Sequence, residues 1–145
     1  MNPKDFLGKE NEKLIMEAIE RAEGQTSGEI RVHIESKCKG QVLDRAAWLF
    51  KKLKMQETKE RNGVLIYLSI DDHQFAIIGD SGINKVVPDG FWNETKELMI
   101  SHFTKGEFAV GLTKGIEEAG LHLKQYFPCQ IDDVNELSDE ISYGK

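Results

Sequence analysis

The chain has few of the features that mark secreted, membrane or disulfide-rich proteins. Only two of its 145 residues are cysteines, Cys38 and Cys129, and their separation matches no metal-binding spacing. Two isolated thiols form no disulfide framework, so we expect a reducing compartment. The first twelve residues are polar and lack the apolar core of a signal peptide, and no window has the length of a membrane helix. We therefore expect a cytoplasmic protein with no membrane span.

Positive charge is also in the minority. The chain has 19 Lys and Arg against 25 Asp and Glu, a formal net charge of -6. This charge argues against general affinity for nucleic acid or anionic lipid, because both attract basic proteins, although a local basic patch is compatible with it. The sequence contains neither a P-loop nor a dinucleotide-binding fingerprint. We expect a monomer with no nucleic-acid partner.

Length and composition fit one folded domain. Hydrophobic residues make up 39% of the chain and charged residues 30%, which is typical of soluble globular proteins. We assign residues 1–128 to a single domain and residues 129–145 to an acidic C-terminal tail. Val134, Leu137 and Ile141 give the tail a short amphipathic pattern, which leaves open whether it docks on the domain.

Hydrophobic periodicity predicts the order α-β-α-β-β-α-α. Apolar residues at helical spacing predict four helices, over Gly8–Glu23, Gln41–Met55, Phe91–Phe103 and Phe108–Tyr126. Alternating or continuous apolar residues predict three strands, over Gly28–Ser36, Gly63–Ile70 and Gln74–Gly79. The last two strands form a hairpin through Asp71-Asp72-His73. This order corresponds to a three-layer α/β/α sandwich around a small mixed sheet.

This topology brings polar residues to one end of the sheet. The first two strands are joined by a helix and therefore run parallel, and the third returns antiparallel. The starts of the first two strands thus lie beside the end of the third. Glu29 opens the first strand, Arg61 and Asn62 precede the second, and Asp80 closes the third, with Asp89 shortly after it.

The acidic residues at this end predict a metal site. Clustered carboxylates repel one another, and calcium or magnesium, which prefer oxygen ligands, relieves that repulsion. We therefore predict Glu29, Asp80 and Asp89 as metal ligands, with Arg61 and Asn62 contacting a bound phosphate. Structural roles remain open: Asp80 can form an Asx turn, Asp89 can cap the next helix, and Glu29 and Arg61 can be solvated charges.

The remaining candidates favour structural interpretations. His33, His102 and His122 show no ligand spacing with one another or with cysteine, and Ser81 has no obvious histidine partner. Gly111 and Gly115 lie inside a predicted helix, where glycine is costly, so we expect them to permit close approach of a neighbouring element.

Several segments resemble the TPM domain family. The resemblance rests on Asn62-Gly63-Val64-Leu65-Ile66, on Phe75-Ala76-Ile77-Ile78-Gly79-Asp80-Ser81-Gly82-Ile83, and on Gly106-Glu107-Phe108 with Gly111-Leu112 and Gly115. It covers roughly residues 28–127 and implies an α/β/α sandwich around a mixed sheet. The family includes a thylakoid lumen protein with acid phosphatase activity, a photosystem repair factor and a receptor modulator.

The resemblance also bears on the metal. Metal binding, notably of calcium, is described for some members, which implies calcium rather than magnesium here. The acidic family residues map to Asp80 and, less directly, to Asp89. The usual glycine-aromatic-glycine turn of the family is replaced by Gly79-Asp80-Ser81-Gly82.

Two functions follow as hypotheses. The first is a metal-binding, non-enzymatic or weakly enzymatic module that contacts a protein partner or a phosphate-bearing ligand. The second is a metal-dependent, phosphatase-like hydrolase of phosphate esters. The sequence supplies no convincing pair of nucleophile and base, which favours the first. A third possibility is a purely structural acidic cluster.

Overall fold

A four-stranded mixed sheet organises the computed structural model, which describes residues 2–129 and 140–144. The strands are β1 (Glu29–Glu35), β2 (Gly63–Ser69), β3 (Gln74–Gly79) and β4 (Ser142–Tyr143), in the spatial order β3-β2-β1-β4. β1 pairs in parallel with β2 and with β4, whereas β2 and β3 are antiparallel. The predicted parallel unit and hairpin are therefore confirmed.

Helices cover both faces of this sheet. They are α1 (Pro3–Leu7), α2 (Lys9–Glu23), α3 (Val42–Lys52), α4 (Ser81–Asn84), α5 (Asn93–Phe103) and α6 (Phe108–Lys124). Side chains of α2, α5 and α6 share one hydrophobic cluster with the sheet, and those of α3 form a second cluster on the opposite face. This arrangement confirms the α/β/α sandwich.

The larger cluster holds the alternate apolar residues of the strands. Those of β1 and β2 are Ile30, Val32, Ile34, Val64, Ile66 and Leu68.

Glycines bring the covering helices close together, since a Cβ at Gly120 would lie 2.8 Å from the Cβ of Ala22, and one at Gly115 would lie 2.5 Å from the Met99 sulfur. A Cβ at Gly111 would lie 2.5 Å from Phe103. The predicted role of Gly111 and Gly115 is therefore confirmed.

The smaller cluster lies beneath α3. Ala46, Leu49 and Phe50 of this helix pack against the α3-facing apolar residues of β2 and β3, which are Leu65, Tyr67 and Ala76. The polar residues of β1 point to this same face, because successive side chains of a strand alternate. This polar face is covered by α3.

Three short elements were not predicted. α1 begins at an Asn2 cap with Pro3 at its first position, α4 begins at an Asp80 cap, and β4 is only two residues long. α5 begins at Asn93 with Trp92 at its cap position, so the alternative that Asp89 caps this helix is wrong. The reason is a turn at Gly90, whose φ of 75° delays the start of the helix.

The end of the C-terminal tail docks on the sheet edge. β4 pairs with His33 and Ile34, Ile141 is buried, and the Tyr143 hydroxyl donates to Glu12 at 2.5 Å. Val134 and Leu137 lie outside the described residues, so the domain boundary near residue 128 stays a prediction. No helix in residues 2–129 and 140–144 is long and apolar enough to cross a membrane.

A long-range bridge closes the domain beside β1. Thr26 and Pro128 form an isolated antiparallel bridge, and the Ser27 amide donates to the carbonyl of Phe127 at 2.9 Å. The segment entering β1 is thereby fastened to the segment leaving α6.

Candidate functional site at one end of the sheet

The predicted convergence of strand ends is present. Glu29 pairs with Gly63 across β1 and β2, and the Asp80 amide donates to the Gly63 carbonyl at 2.9 Å. Glu29, Gly63 and Asp80 therefore form one row across the sheet end, which we call the rim. Glu29 and Asp80 are both buried, and the glycine between them contributes no side chain.

The Asp80 carboxylate is held by a two-pronged ion pair. Arg61 donates from Nε to Oδ2 at 2.8 Å and from Nη2 to Oδ1 at 3.0 Å, and the Ser81 amide donates to Oδ1 at 2.7 Å. Hydrogen bonding to Asp80 raises the pKa of Arg61 above its ordinary value. The Arg61 side chain is 50% exposed, so a buried carboxylate is neutralised by a cation at the protein surface. Asp80 also caps α4, with its side chain accepting from the Ser81 amide rather than closing an Asx turn with Gly82.

The backbone near Arg61 is fixed by close packing. Arg61 has a φ of 53°, in the left-handed region, and its carbonyl accepts from the Gly82 amide at 2.9 Å. A Cβ at Gly82 would overlap the carbonyl oxygen of Glu60 and would lie 2.6 Å from that of Arg61. Only glycine therefore lets α4 approach this loop and hold Arg61 next to Asp80.

Asn62 joins the loop to the start of β1. Its backbone carbonyl accepts from the Glu29 amide at 3.3 Å, and its Nδ2 donates to Ser27 Oγ at 3.4 Å. Asn62 is 1% exposed, and within the described residues its side-chain Oδ1 is buried without a hydrogen-bond partner. An unsatisfied buried carbonyl oxygen is costly, and this one belongs to the residue that directly precedes Gly63 of the rim.

The third predicted ligand lies apart from this row. Asp89 is exposed in the turn before α5. In the described part of the chain, the one group of three or more His, Cys, Asp or Glu ligand atoms within 4.8 Å of one another is Glu94, Glu118 and His122. The structure therefore brings Glu29 and Asp80 to one rim but does not gather the predicted three carboxylates into a single cluster.

Sequence analysis missed the contacts of His122. Its Nε2 lies 3.5 Å from Glu118, four residues earlier on α6, and 4.0 Å from Glu94 on α5. The spacing of Glu118 and His122 was an available signal, because residues four apart share a helix face. The approach of Glu94 depends on how α5 packs against α6, which periodicity does not give.

A second polar centre lies under α3, near the opposite end of β1. Glu35 is buried and accepts from Arg45 Nε and Nη2, both at 2.8 Å, and from the Tyr67 hydroxyl at 2.5 Å. His33 lies 3.3 Å from Glu35 through Nε2 and 2.7 Å from Ser142 Oγ through Nδ1. We call this set the Glu35 network. Its charges are paired within the protein, which suits a structural role.

The pKa shifts of the Glu35 network follow from burial and pairing. Burial opposes ionisation of Glu35, but hydrogen bonds from Arg45 and Tyr67 lower its pKa below the ordinary value. Burial lowers the pKa of His33, although Glu35 opposes that shift. Burial and the bond to Glu35 raise the pKa of Tyr67. Around neutral pH the network is therefore an ion pair of Glu35 with Arg45, flanked by neutral groups.

Comparison with known proteins gives a family and two structural relatives. The TPM domain family matches residues 1–121. The NMR structure of BA42 protein from the psychrophilic bacterium Bizionia argentinensis is 50% identical, with a TM-score of 0.91 over 96% of each chain. The solution structure of the N-terminal domain of a protein from P. gingivalis is 23% identical, with a TM-score of 0.67 over 84% of this chain and 79% of that one, and shares the fold. Comparison with curated proteins gives no match.

Proposed function

The chain belongs to the TPM domain family, and on that premise we propose that it is a non-enzymatic, metal-binding interaction module whose cation site is the rim. One observation carries the proposal. The buried Asn62 Oδ1 lacks a hydrogen-bond partner among the described residues, and Asn62 directly precedes Gly63, which lies between the buried Glu29 and Asp80 in the row. Amide and carboxylate oxygens are the donors that calcium takes, with looser geometry than magnesium demands. The rim therefore fits an oxygen-seeking divalent cation, with calcium preferred.

Arg61 couples this site to a partner. Its guanidinium supplies the positive charge beside Asp80, and a divalent cation would compete with it for the same two oxygens. Because half of the Arg61 side chain is exposed, the displaced guanidinium would face the solvent. There it would offer a flat pair of donors to a carboxylate or phosphate of the partner.

The test is a calcium titration, measured by calorimetry and by the NMR signals of the backbone amides of residues 79–82. Asp80→Asn should weaken calcium binding at least tenfold, because it removes the central charge. Arg61→Gln should strengthen it, because it removes the competing cation. Opposite effects at two neighbouring residues are not expected from general destabilisation.

The double variant Glu118→Gln/His122→Gln serves as the matched control. It alters the other group of potential ligands, on α5 and α6, and should leave calcium binding unchanged. The proposal fails if the wild-type protein binds no calcium at millimolar concentration, or if the control variant abolishes binding while Asp80→Asn does not.

The alternative is metal-dependent hydrolysis of phosphate esters, with Arg61 steering the substrate. Its support is the exposed guanidinium beside a carboxylate. The hydroxyl of Ser27, two residues before Glu29, donates to the exposed Glu60, and among the described residues no histidine is hydrogen-bonded to Ser27 or Ser81. The experiment measures hydrolysis of an aryl phosphate in the presence of calcium, magnesium or manganese. Hydrolysis by the wild-type protein that is lost in Asp80→Asn would favour the hydrolase over the interaction module.

A further inference from the structure

Positive charge is concentrated on one side of the molecule. Residues 37–61 contain eight of the 19 Lys and Arg of the chain and only three of its 25 Asp and Glu. This segment comprises α3 and the loops on either side of it. Arg45 and Arg61 are paired with buried carboxylates, which leaves six lysines against three acidic residues, so the net charge of -6 conceals a basic segment around α3.

The outer surface of α3 also exposes large apolar side chains. Trp48 is 51% exposed and Leu43 is 60% exposed, although the helix already buries an apolar stripe against the sheet. Cations flank the indole: Arg45 Cζ lies 4.6 Å and Lys52 Nζ lies 5.5 Å from the ring centroid. Lys51 is exposed on the same helix.

We propose that this face of α3 docks on the surface of an anionic phospholipid membrane. Exposed tryptophan and leucine side chains suit the boundary between headgroups and acyl chains. The exposed lysines Lys51 and Lys52 are attracted to anionic headgroups, whereas Arg45 is paired with Glu35. The acidic remainder of the molecule is repelled by the same surface, so the charge distribution fixes one orientation, with α3 towards the lipid.

The apolar side chains distinguish this partner from nucleic acid. Phosphate contacts with DNA or RNA need cations but give no reason to expose Leu43 and Trp48. A bilayer surface uses both components, because the hydrophobic groups enter the interface while the cations remain among the headgroups. The combination on α3 therefore favours lipid.

Tryptophan fluorescence gives a direct test, because the chain has two tryptophans in different environments. Trp92 is 9% exposed and packs in the core, whereas Trp48 is at the surface. Adding vesicles of phosphatidylcholine with 30% phosphatidylserine should shift the emission to shorter wavelength. The shift should be absent in Trp48→Phe, in which Trp92 remains.

Charge reversal tests the electrostatic part in a vesicle sedimentation assay. Lys51→Glu/Lys52→Glu should reduce binding at least tenfold. Lys105→Glu/Lys114→Glu makes the same change in net charge at exposed lysines on the opposite side and should change binding less than twofold. Raising the salt concentration to 0.5 M should release the wild-type protein. Circular dichroism of each variant checks that the fold is retained.

Any of three results would overturn the proposal. The first is a wild-type protein that does not sediment with anionic vesicles, the second is an equal loss of binding in both pairs of reversals, and the third is binding of the α3 face to a DNA oligonucleotide but to no vesicles. Equal binding to vesicles of phosphatidylcholine alone would also contradict the role given to the lysines.

Discussion

The two faces of the sheet are stabilised in different ways, although the same strands contribute to both. The face under α2, α5 and α6 is packed almost entirely with apolar side chains. The face under α3 combines a smaller apolar cluster with the Glu35 network. Burial is therefore not confined to apolar residues, because charged side chains lie equally deep where each has a partner. Three changes distinguish the two kinds of packing.

Removing the acceptor at the centre of the Glu35 network should have the largest effect. Glu35→Ala leaves Arg45 and the Tyr67 hydroxyl without their buried partner. Loss of one member of a buried ion pair costs about 3–5 kcal/mol in the free energy of unfolding. Urea denaturation measures this loss.

A double substitution is the control for that experiment. Glu35→Leu/Arg45→Leu removes both charges and should be less destabilising than Glu35→Ala. If the two proteins unfold at the same urea concentration, pairing is not what stabilises the α3 face.

On the apolar face, two glycines of α6 should respond differently to the same change. Gly120→Ala places a methyl group against the backbone and Cβ of Ala22 and should destabilise by about 1–3 kcal/mol. Gly115→Ala meets the flexible end of Met99, which can move, and the better helix propensity of alanine offsets the remaining cost. Thermal unfolding of the two variants compares them, and equal melting temperatures would contradict this account of the packing.

The smallest effect concerns pH and acts on the α3 face alone. The folded pKa of His33 is below its ordinary 6.5, so the unfolded chain binds more protons as the pH falls below that value. The contribution of His33 to the free energy of unfolding is complete above pH 6.5. It should decrease by at most about 1.4 kcal/mol when the pH falls to 5.5.

The His33→Gln variant isolates this contribution. Subtracting its urea stability at pH 7.5 and 5.5 from that of the wild-type protein removes the effect of the other histidines. The stability that depends on Glu35 should be lost only below pH 4.5, because the pKa of Glu35 in the folded protein is also lowered. A wild-type protein that lost no more stability than His33→Gln over this interval would refute the assignment.

Periodicity was sufficient to predict the long elements and the end of the sheet at which the rim lies. The alternation of Ile30, Val32 and Ile34 gave the buried face of β1, and parallel pairing then placed Glu29 beside Gly63. α1, α4 and β4 are too short for a periodic signal. Asn2 followed by Pro3 was nevertheless a local sequence signal for the start of α1.

Periodicity could not predict which polar side chains form ion pairs and hydrogen bonds with one another. Asp80 binds Arg61 because Gly82 lets α4 approach the loop at residues 60–61, which depends on three-dimensional packing. Similarly, nothing in the spacing of Glu35, Arg45 and Tyr67 reveals that their side chains meet. The same limit explains why Asp89 was grouped with the rim although it is exposed in a turn.

The bridge between Thr26 and Pro128 has a consequence for the order of folding. The strands β1 to β3 pair at sequence separations of 34 residues or fewer, so their assembly closes shorter loops than the bridge does. Joining Thr26 to Pro128, and packing α2 on α6, must close a loop of most of the chain and is favoured only once that nucleus exists. The helical layer of α2 and α6 is therefore expected to condense late and to be released first during unfolding.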